Sequence, residues 1–205
     1  MQKLAVVLLL VAACATDDRK PPAVTIPKAT PQETGALVLV LDRSGSMQGP
    51  KLDAVKEAAT AAVDALDGHD QVAIVMFDSD AEVLVPLQAS ANRQQIAAEI
   101  ARVNAGGGTQ MLGALRSAHD LLVAANAQVK HVILLSDGEA ASEGLVELAT
   151  QMRQQKITLS TIGVAGADQH LLELLSTAGG GRTYQIDDLA QLSSAFVNET
   201  KLALK

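Results

Sequence analysis

The sequence predicts an α/β fold: a doubly wound, mostly parallel central sheet with one antiparallel edge strand and helices on both faces. Three observations predict it. Short apolar runs alternate with amphipathic stretches from residue 35 onward, and such alternation builds parallel strands joined by covering helices. The first run, residues 36–41, contains no polar side chain, the mark of a strand buried on both faces. Finally, 205 residues with 48% apolar content give room for one domain with a sizeable core.

The elements follow in order. Residues 36–41 are the first strand. In residues 52–66, Leu52, Val55, Ala59, Ala62, Val63 and Leu66 recur at helical spacing, and Gly68-His69-Asp70 ends the helix. Residues 71–77 are the second strand. Asp78-Ser79-Asp80 turns the chain into residues 81–87, an antiparallel return whose Pro86 suits an edge position. Residues 92–103 are a second helix, with Ser90 or Asn92 as its cap. A glycine loop, Asn104-Ala105-Gly106-Gly107-Gly108-Thr109, opens a third helix that runs to residue 125. Residues 132–135 are a short strand ending in Ser136-Asp137-Gly138. Ser142 is placed to cap the next helix, up to residue 155, with Glu143 in its first turn. A strand at 157–164 and a helix at 168–178 come next. Gly179-Gly180-Gly181 reads as a helix stop and flexible link. A last strand at 182–186 and a last helix at 188–204 complete the pattern.

Composition narrows the function. Phe77, Tyr184 and Phe196 are the only aromatics, so the core is built from Ala, Val, Leu and Ile, and no base-stacking platform exists. A net charge of −7 leaves no basic surplus for phosphate backbones. Nucleic acid is excluded as a partner; a protein that is neutral, basic or bridged through a cation fits better.

The N-terminus reads separately. Lys3 precedes an apolar stretch at residues 4–13 that is shorter than the roughly 20 residues a bilayer span needs but suits a secretory leader. It ends in Val11-Ala12-Ala13-Cys14, and Cys14 is the only cysteine, so it has no internal disulfide partner. The segment resembles a bacterial lipoprotein signal. That resemblance implies a signal peptide at 1–13, Cys14 as the lipidated mature N-terminus, and membrane attachment through that lipid alone. The alternative is an ordinary signal peptide cut after Ala13 or Ala15. Residues 14–34 carry Pro21, Pro22, Pro27 and Pro31 and read as an extended tether ahead of a domain at 35–205. Ala15, rather than aspartate, after the cysteine points to the outer membrane of a cell envelope that has two.

In open parallel sheets, sites form at the carboxyl ends of strands. Asp42 ends the first strand and Asp137 a later one, so both belong to one sheet edge. Two carboxylates brought together repel unless a cation intervenes. The hydroxyls of Ser44, Ser46 and Thr109 are the neighbouring groups. Carboxylate, hydroxyl and water are hard ligands that suit Mg2+, Mn2+ or Ca2+, and the absence of His or Cys from the set counts against zinc.

These residues resemble the von Willebrand factor type A family, in its metal-ion-dependent adhesion site (MIDAS). The family pattern is Asp-x-Ser-x-Ser on one loop, a threonine on a second and an aspartate on a third. Asp42, Ser44 and Ser46 match the first element, Thr109 the second and Asp137 the third. The resemblance covers residues 35–204. It implies a Rossmann-like sheet, a Mg2+ (or Mn2+ or Ca2+) ion held by those five residues, and an acidic side chain of a protein partner completing the shell. It also implies a binding module rather than an enzyme, with the last helix as the family's regulatory element; the lipoprotein resemblance of the N-terminus adds a lipid anchor at the bacterial cell envelope.

Other signals are weaker. The glycine loop lacks the lysine of a phosphate loop, and Ser44 lacks the glycine of a nucleophile elbow. His69, His119, His131 and His170 read as helix-end or surface residues, and Asp78 with Asp80 as a solvated turn. A metal-dependent hydrolase is the alternative activity, but no histidine, lysine or third carboxylate offers itself near the cluster as a general base. A scaffold subunit with a purely structural site is the third reading.

Overall fold

The structure, a computed structural model, describes residues 34–138 and 142–204. The expected signal peptide, Cys14 and all of the tether but Thr34 lie outside the described residues. Among the described residues, six strands join in one sheet: β1 (Gly35–Asp42), β2 (Gln71–Phe77), β3 (Ala81–Ala89), β4 (Val129–Ser136), β5 (Ile157–Val164) and β6 (Gly180–Ile186). Their order is β3-β2-β1-β4-β5-β6, and every pairing is parallel except that of β2 with β3. The helices are α1 (Pro50–Asp64), α2 (Arg93–Ala101), α3 (Met111–Ala124), α4 (Leu145–Gln154), α5 (Gln169–Gly179) and α6 (Leu192–Ala203).

All eight residues of β1 are buried, because the two faces of the sheet are both covered. Alternation along the strand sends Leu37, Leu39 and Leu41 toward α1, α2 and α6, and Ala36, Val38 and Val40 toward α3, α4 and α5. Full burial of each branched side chain is worth about 1.5–3 kcal/mol before chain entropy is counted. The chain leaves β1 in one direction through β2 and β3, then returns to the other flank through β4, β5 and β6. The order of strands therefore reverses between β1 and β4, and their carboxyl ends form the crevice where such sheets bind ligands.

Some local expectations are corrected. β4 starts at Val129 rather than 132, because parallel pairing extends back to Gly35↔Val129. Ser142 does not cap the following helix: α4 begins at Leu145 behind Gly144, whose φ of 77° needs a glycine, and Glu147 is the acid in its first turn. The Gly179–Gly181 run is no flexible link. Gly180 closes α5 in the left-handed region with φ 71°, and Gly181 pairs into β6, where a Cβ would collide with the carbonyl of Leu159.

His131 is the largest departure. It lies on β4 with 1% of its surface exposed. Its Nδ1 is 2.7 Å from Thr158 Oγ1, and its Nε2 stands 3.2 Å from Glu199 Oε1, outside hydrogen-bond alignment. Glu199, fully buried on α6, accepts from Ser160 Oγ at 2.6 Å, Tyr184 Oη at 2.5 Å and Arg182 Nε at 3.0 Å. Burial pushes the Glu199 carboxyl up, but His131, Ser160 and Tyr184 outweigh it and hold the group at about 2. Burial keeps the His131 imidazole below its usual value, against the pull of Glu199.

Both shifts carry the same sign for stability. A group whose folded pKa is depressed contributes stability above its unfolded pKa and loses it as pH falls toward the folded value. The His131 contribution therefore begins to fade below about pH 6.5, and that of Glu199 below about pH 4.5. The urea midpoint is expected to fall from about pH 7.5 to about pH 5.5; at lower pH the raised Asp42 carboxyl works against the loss at Glu199. A midpoint that holds level or rises between about pH 7.5 and 5.5 contradicts the neutral, buried His131.

Candidate metal centre

Asp42 closes β1 with no exposed surface. Its Oδ1 accepts from Ser44 N at 2.8 Å, an Asx turn that folds the loop back over the strand end. Its Oδ2 accepts from Ser136 Oγ at 2.8 Å, across the β1–β4 crevice. The pairing Leu41↔Leu135 sets the register that brings Ser136 opposite Asp42. The first loop is then tied to the glycine loop by backbone bonds: Gly106 N donates to Arg43 O at 2.9 Å, and Gly45 N to Gly107 O at 3.2 Å. Gly107 has φ 75°, and a Cβ there would press on Asp78 Cβ at 2.9 Å, so this crossing needs glycine.

The hydroxyls meet above Asp42. Ser44 Oγ and Ser46 Oγ are 3.0 Å apart, and Ser46 Oγ donates to Asp137 Oδ1 at 2.7 Å. Thr109, half-buried at the end of the glycine loop, brings its Oγ1 to 3.9 Å from the point where a Cβ on Gly138 would stand. The oxygens of Ser44, Ser46 and Asp137 thus form one bonded run, Asp42 is tied to it through the Ser44 N–H, and Thr109 stands beside the Asp137 loop.

The donor set fits a hard divalent cation. Adjacent ligands on an octahedral ion with bonds of about 2.1 Å stand roughly 3 Å apart, which matches the Ser44–Ser46 and Ser46–Asp137 spacings. Hydroxyls, two carboxylates and no soft donor complete the match. Among the described residues, no group of three or more His, Cys, Asp and Glu side chains gathers elsewhere as a rival. Burial raises the Asp42 carboxyl above its usual range, and the charge of Asp137 adds to this, against the hydrogen bonds of Ser44 and Ser136. A cation placed here would relieve both terms of that cost.

Two cations of the chain border the cluster in different ways. Arg43, which lies between Asp42 and Ser44 in sequence, turns away from the site: its Nε is 2.9 Å from Asp78 Oδ2 and its Nη1 2.6 Å from Glu82 Oε2. Asp78 is therefore no merely solvated turn residue. Its carbonyl also accepts from Gln110 N at 2.6 Å, and Ser79 Oγ accepts from Gly108 N at 2.8 Å, so the β2–β3 turn buttresses the Thr109 loop. Backbone N–H from Asp80, with Arg43 beside it, holds the Asp78 carboxyl below its usual value.

Lys51 is the residue that sequence reasoning missed. Its Nζ donates to Asp137 Oδ2 at 2.5 Å and to Ala165 O at 3.0 Å. The expectation that no lysine stands near the cluster is corrected. A signal was present: Lys51 directly follows Pro50 in the first turn of α1, where the helix dipole disfavours a cation unless an anion faces it.

A groove of about 690 Å³ between α1 and α2 is lined by Asp53, Glu57, Asp64 and Ile100 among others and holds none of the five residues. A smaller one of about 280 Å³, between Ser79, Gln110, Leu112 and Arg116, adjoins the Thr109 loop.

Comparison with known proteins gives a consistent set of likenesses. Residues 36–198 match the von Willebrand factor type A domain. An uncharacterized protein of Synechocystis sp. is 31% identical over 165 residues, which cover 78% of this chain and 39% of that protein. A solved von Willebrand factor type A structure from Catenulispora acidiphila has a TM-score of 0.77 at 30% identity, over 84% of this chain and 43% of that one. Proximal thread matrix protein 1 from the mussel byssus, solved with a zinc-occupied MIDAS motif, shares the fold: TM-score 0.73 at 21% identity, over 84% of this chain and 46% of that one. The chain spans less than half the length of these relatives.

Proposed function

The chain belongs to the von Willebrand factor type A family, a family of adhesion and protein-interaction modules of which some carry a MIDAS, and on that premise we propose that it is a divalent-cation-dependent protein-binding module. Ser44, Ser46 and Thr109 supply hydroxyl ligands, and Asp42 and Asp137 supply the negative charge behind them. The bound cation supplies a Lewis-acidic point of attachment for one acidic side chain of a protein partner. The loops around it, including the Ser79–Arg116 groove, supply specificity. The observation that carries this reading is the run of oxygens Ser44–Ser46–Asp137, spaced 3.0 and 2.7 Å at the strand-order reversal. Mg2+ is the favoured ion, with Mn2+ and Ca2+ as the other hard candidates.

We further propose that the module acts at a bacterial cell envelope, tethered by lipid on Cys14 and held off the membrane by the Pro-rich segment up to residue 34.

Calorimetric titration of EDTA-treated protein tests the metal step. One site per chain is expected for Mg2+ or Mn2+, with Zn2+ included for comparison. Thr109→Ala is expected to weaken binding by about 10–100-fold while leaving the thermal midpoint of the metal-free protein within about 2 °C, because Thr109 is a half-buried loop hydroxyl. Crosslinking in intact cells with and without chelator then tests the partner step. Recovery of the same partner by Thr109→Ala protein in chelator would refute the metal bridge.

A further inference from the structure

The Lys51 contact carries an inference that rests on the metal reading above. Each carboxylate oxygen of the pair has a donor from the chain itself. Asp42 receives Ser44 N and Ser136 Oγ; Asp137 receives Ser46 Oγ and Lys51 Nζ. Three of these donors are neutral and only Lys51 is charged. The Asp137 side chain is fully covered, while that of Lys51 keeps 27% of its surface in water. A buried carboxylate against a partly solvated ammonium is a contact with consequences on both sides.

Lys51 is also held in place by more than Asp137. Its second bond reaches Ala165 O, just past β5, and so spans the β4 and β5 loop ends. Residue 165 is followed by Gly166 with φ 101°, whose Cβ position lies 3.2 Å from Asp137 O, so that loop packs directly on the Asp137 backbone. The ammonium is thus fixed between two loops at the site's edge, against the preference of its own helix terminus for an anion.

We propose that Lys51 is a built-in counter-cation of the site. It neutralises Asp137 from within the chain and, by like-charge repulsion, opposes the divalent ion that the same carboxylate attracts. The site then needs no metal to stay folded, and the metal becomes an exchangeable occupant rather than a structural staple. Lys51 is a positioning and charge-setting residue, not a ligand: an ammonium offers donors only.

The two roles make opposite demands, so one substitution separates them. Lys51→Met keeps length and apolar stem while removing the charge. EDTA-treated Lys51→Met protein is expected to melt several degrees below the wild type. Its Mg2+ affinity is expected to be about tenfold higher, and saturating Mg2+ is expected to raise its melting point more than that of the wild type. Lys51→Arg keeps the charge and should bind Mg2+ within about threefold of the wild type. If Lys51→Met proves unfolded without metal, Lys51→Gln takes its place in the same titration.

Wild-type protein that binds Mg2+, beside a charge-removed variant that binds it equally or more weakly, overturns the counter-cation proposal alone. Wild-type protein that gives no isotherm with Mg2+ or Mn2+ removes the metal reading, and this inference with it.

Discussion

Glu199→Ala should lower folding stability by about 3–5 kcal/mol, measured by urea unfolding at neutral pH. Glu199 lies on α6 with no exposed surface, and four side chains converge on it: His131, Ser160, Arg182 and Tyr184. Truncation leaves Ser160 Oγ, Arg182 Nε and Tyr184 Oη without this acceptor, and it removes the anion beside His131 Nε2. The costs differ among them. Arg182 keeps 45% of its side chain exposed and can turn to water, but Ser160 is fully buried and His131 nearly so. Each stranded buried group costs about 1–3 kcal/mol, and the removed methylenes add a cavity. Against this stands the relief of desolvating a carboxylate, which would win only if every partner were made apolar as well. One substitution does not do that. Glu199→Gln keeps the shape and one carbonyl acceptor, so its loss is expected to be smaller than that of Ala. An Ala variant within about 1 kcal/mol of the wild type would show that α6 is held by Leu192 and Phe196 alone.

The same network shows which parts of the fold were readable and which were not. The strand-helix alternation located the strands because a doubly covered sheet demands uniform apolar runs. It also put Asp42 and Asp137 at one edge, since parallel strands share their carboxyl ends. His131 was misplaced although a signal existed. Period 2 along β4 puts it on the same face as Ile133 and Leu135, both buried against α6. Glu199 sits seven residues after Leu192 and three after Phe196, on the buried stripe of its helix. Two titratable residues at apolar positions on facing elements point to a pair, but only when the two elements are already known to face each other. Lys51 was lost differently. Its place in the first turn of α1 signals an anion nearby, but nothing in the sequence says that the Asp137 loop, rather than water or Asp53, meets it there. The glycines at 179–181 depend on the approach of Leu159, another contact distant in sequence.

Asp42→Asn should split stability from metal binding. Mg2+ affinity is expected to fall by about 10–100-fold, while the metal-free protein is expected to be as stable as the wild type or more so. Asparagine retains a carbonyl oxygen for Ser44 N, and its NH2 can donate to the rotatable Ser136 hydroxyl. The Asx turn and the tie to β4 therefore survive. What disappears is a buried negative charge that burial and Asp137 both disfavour, as the raised Asp42 pKa records. A raised carboxyl pKa means stability that is present at low pH and lost as pH rises through the folded value, so at neutral pH the charge is a cost to the metal-free fold. Only a cation reverses that sign. Asp42→Ala would confound the two effects, since it also releases the loop that presents Ser44 and Ser46. The Asn variant and Lys51→Met remove opposite charges from one site and should move Mg2+ affinity in opposite directions. A common direction would mean that the loops, rather than the charges, set the affinity. An Asp42→Asn protein that binds Mg2+ within about threefold of the wild type would place the cation elsewhere on the chain.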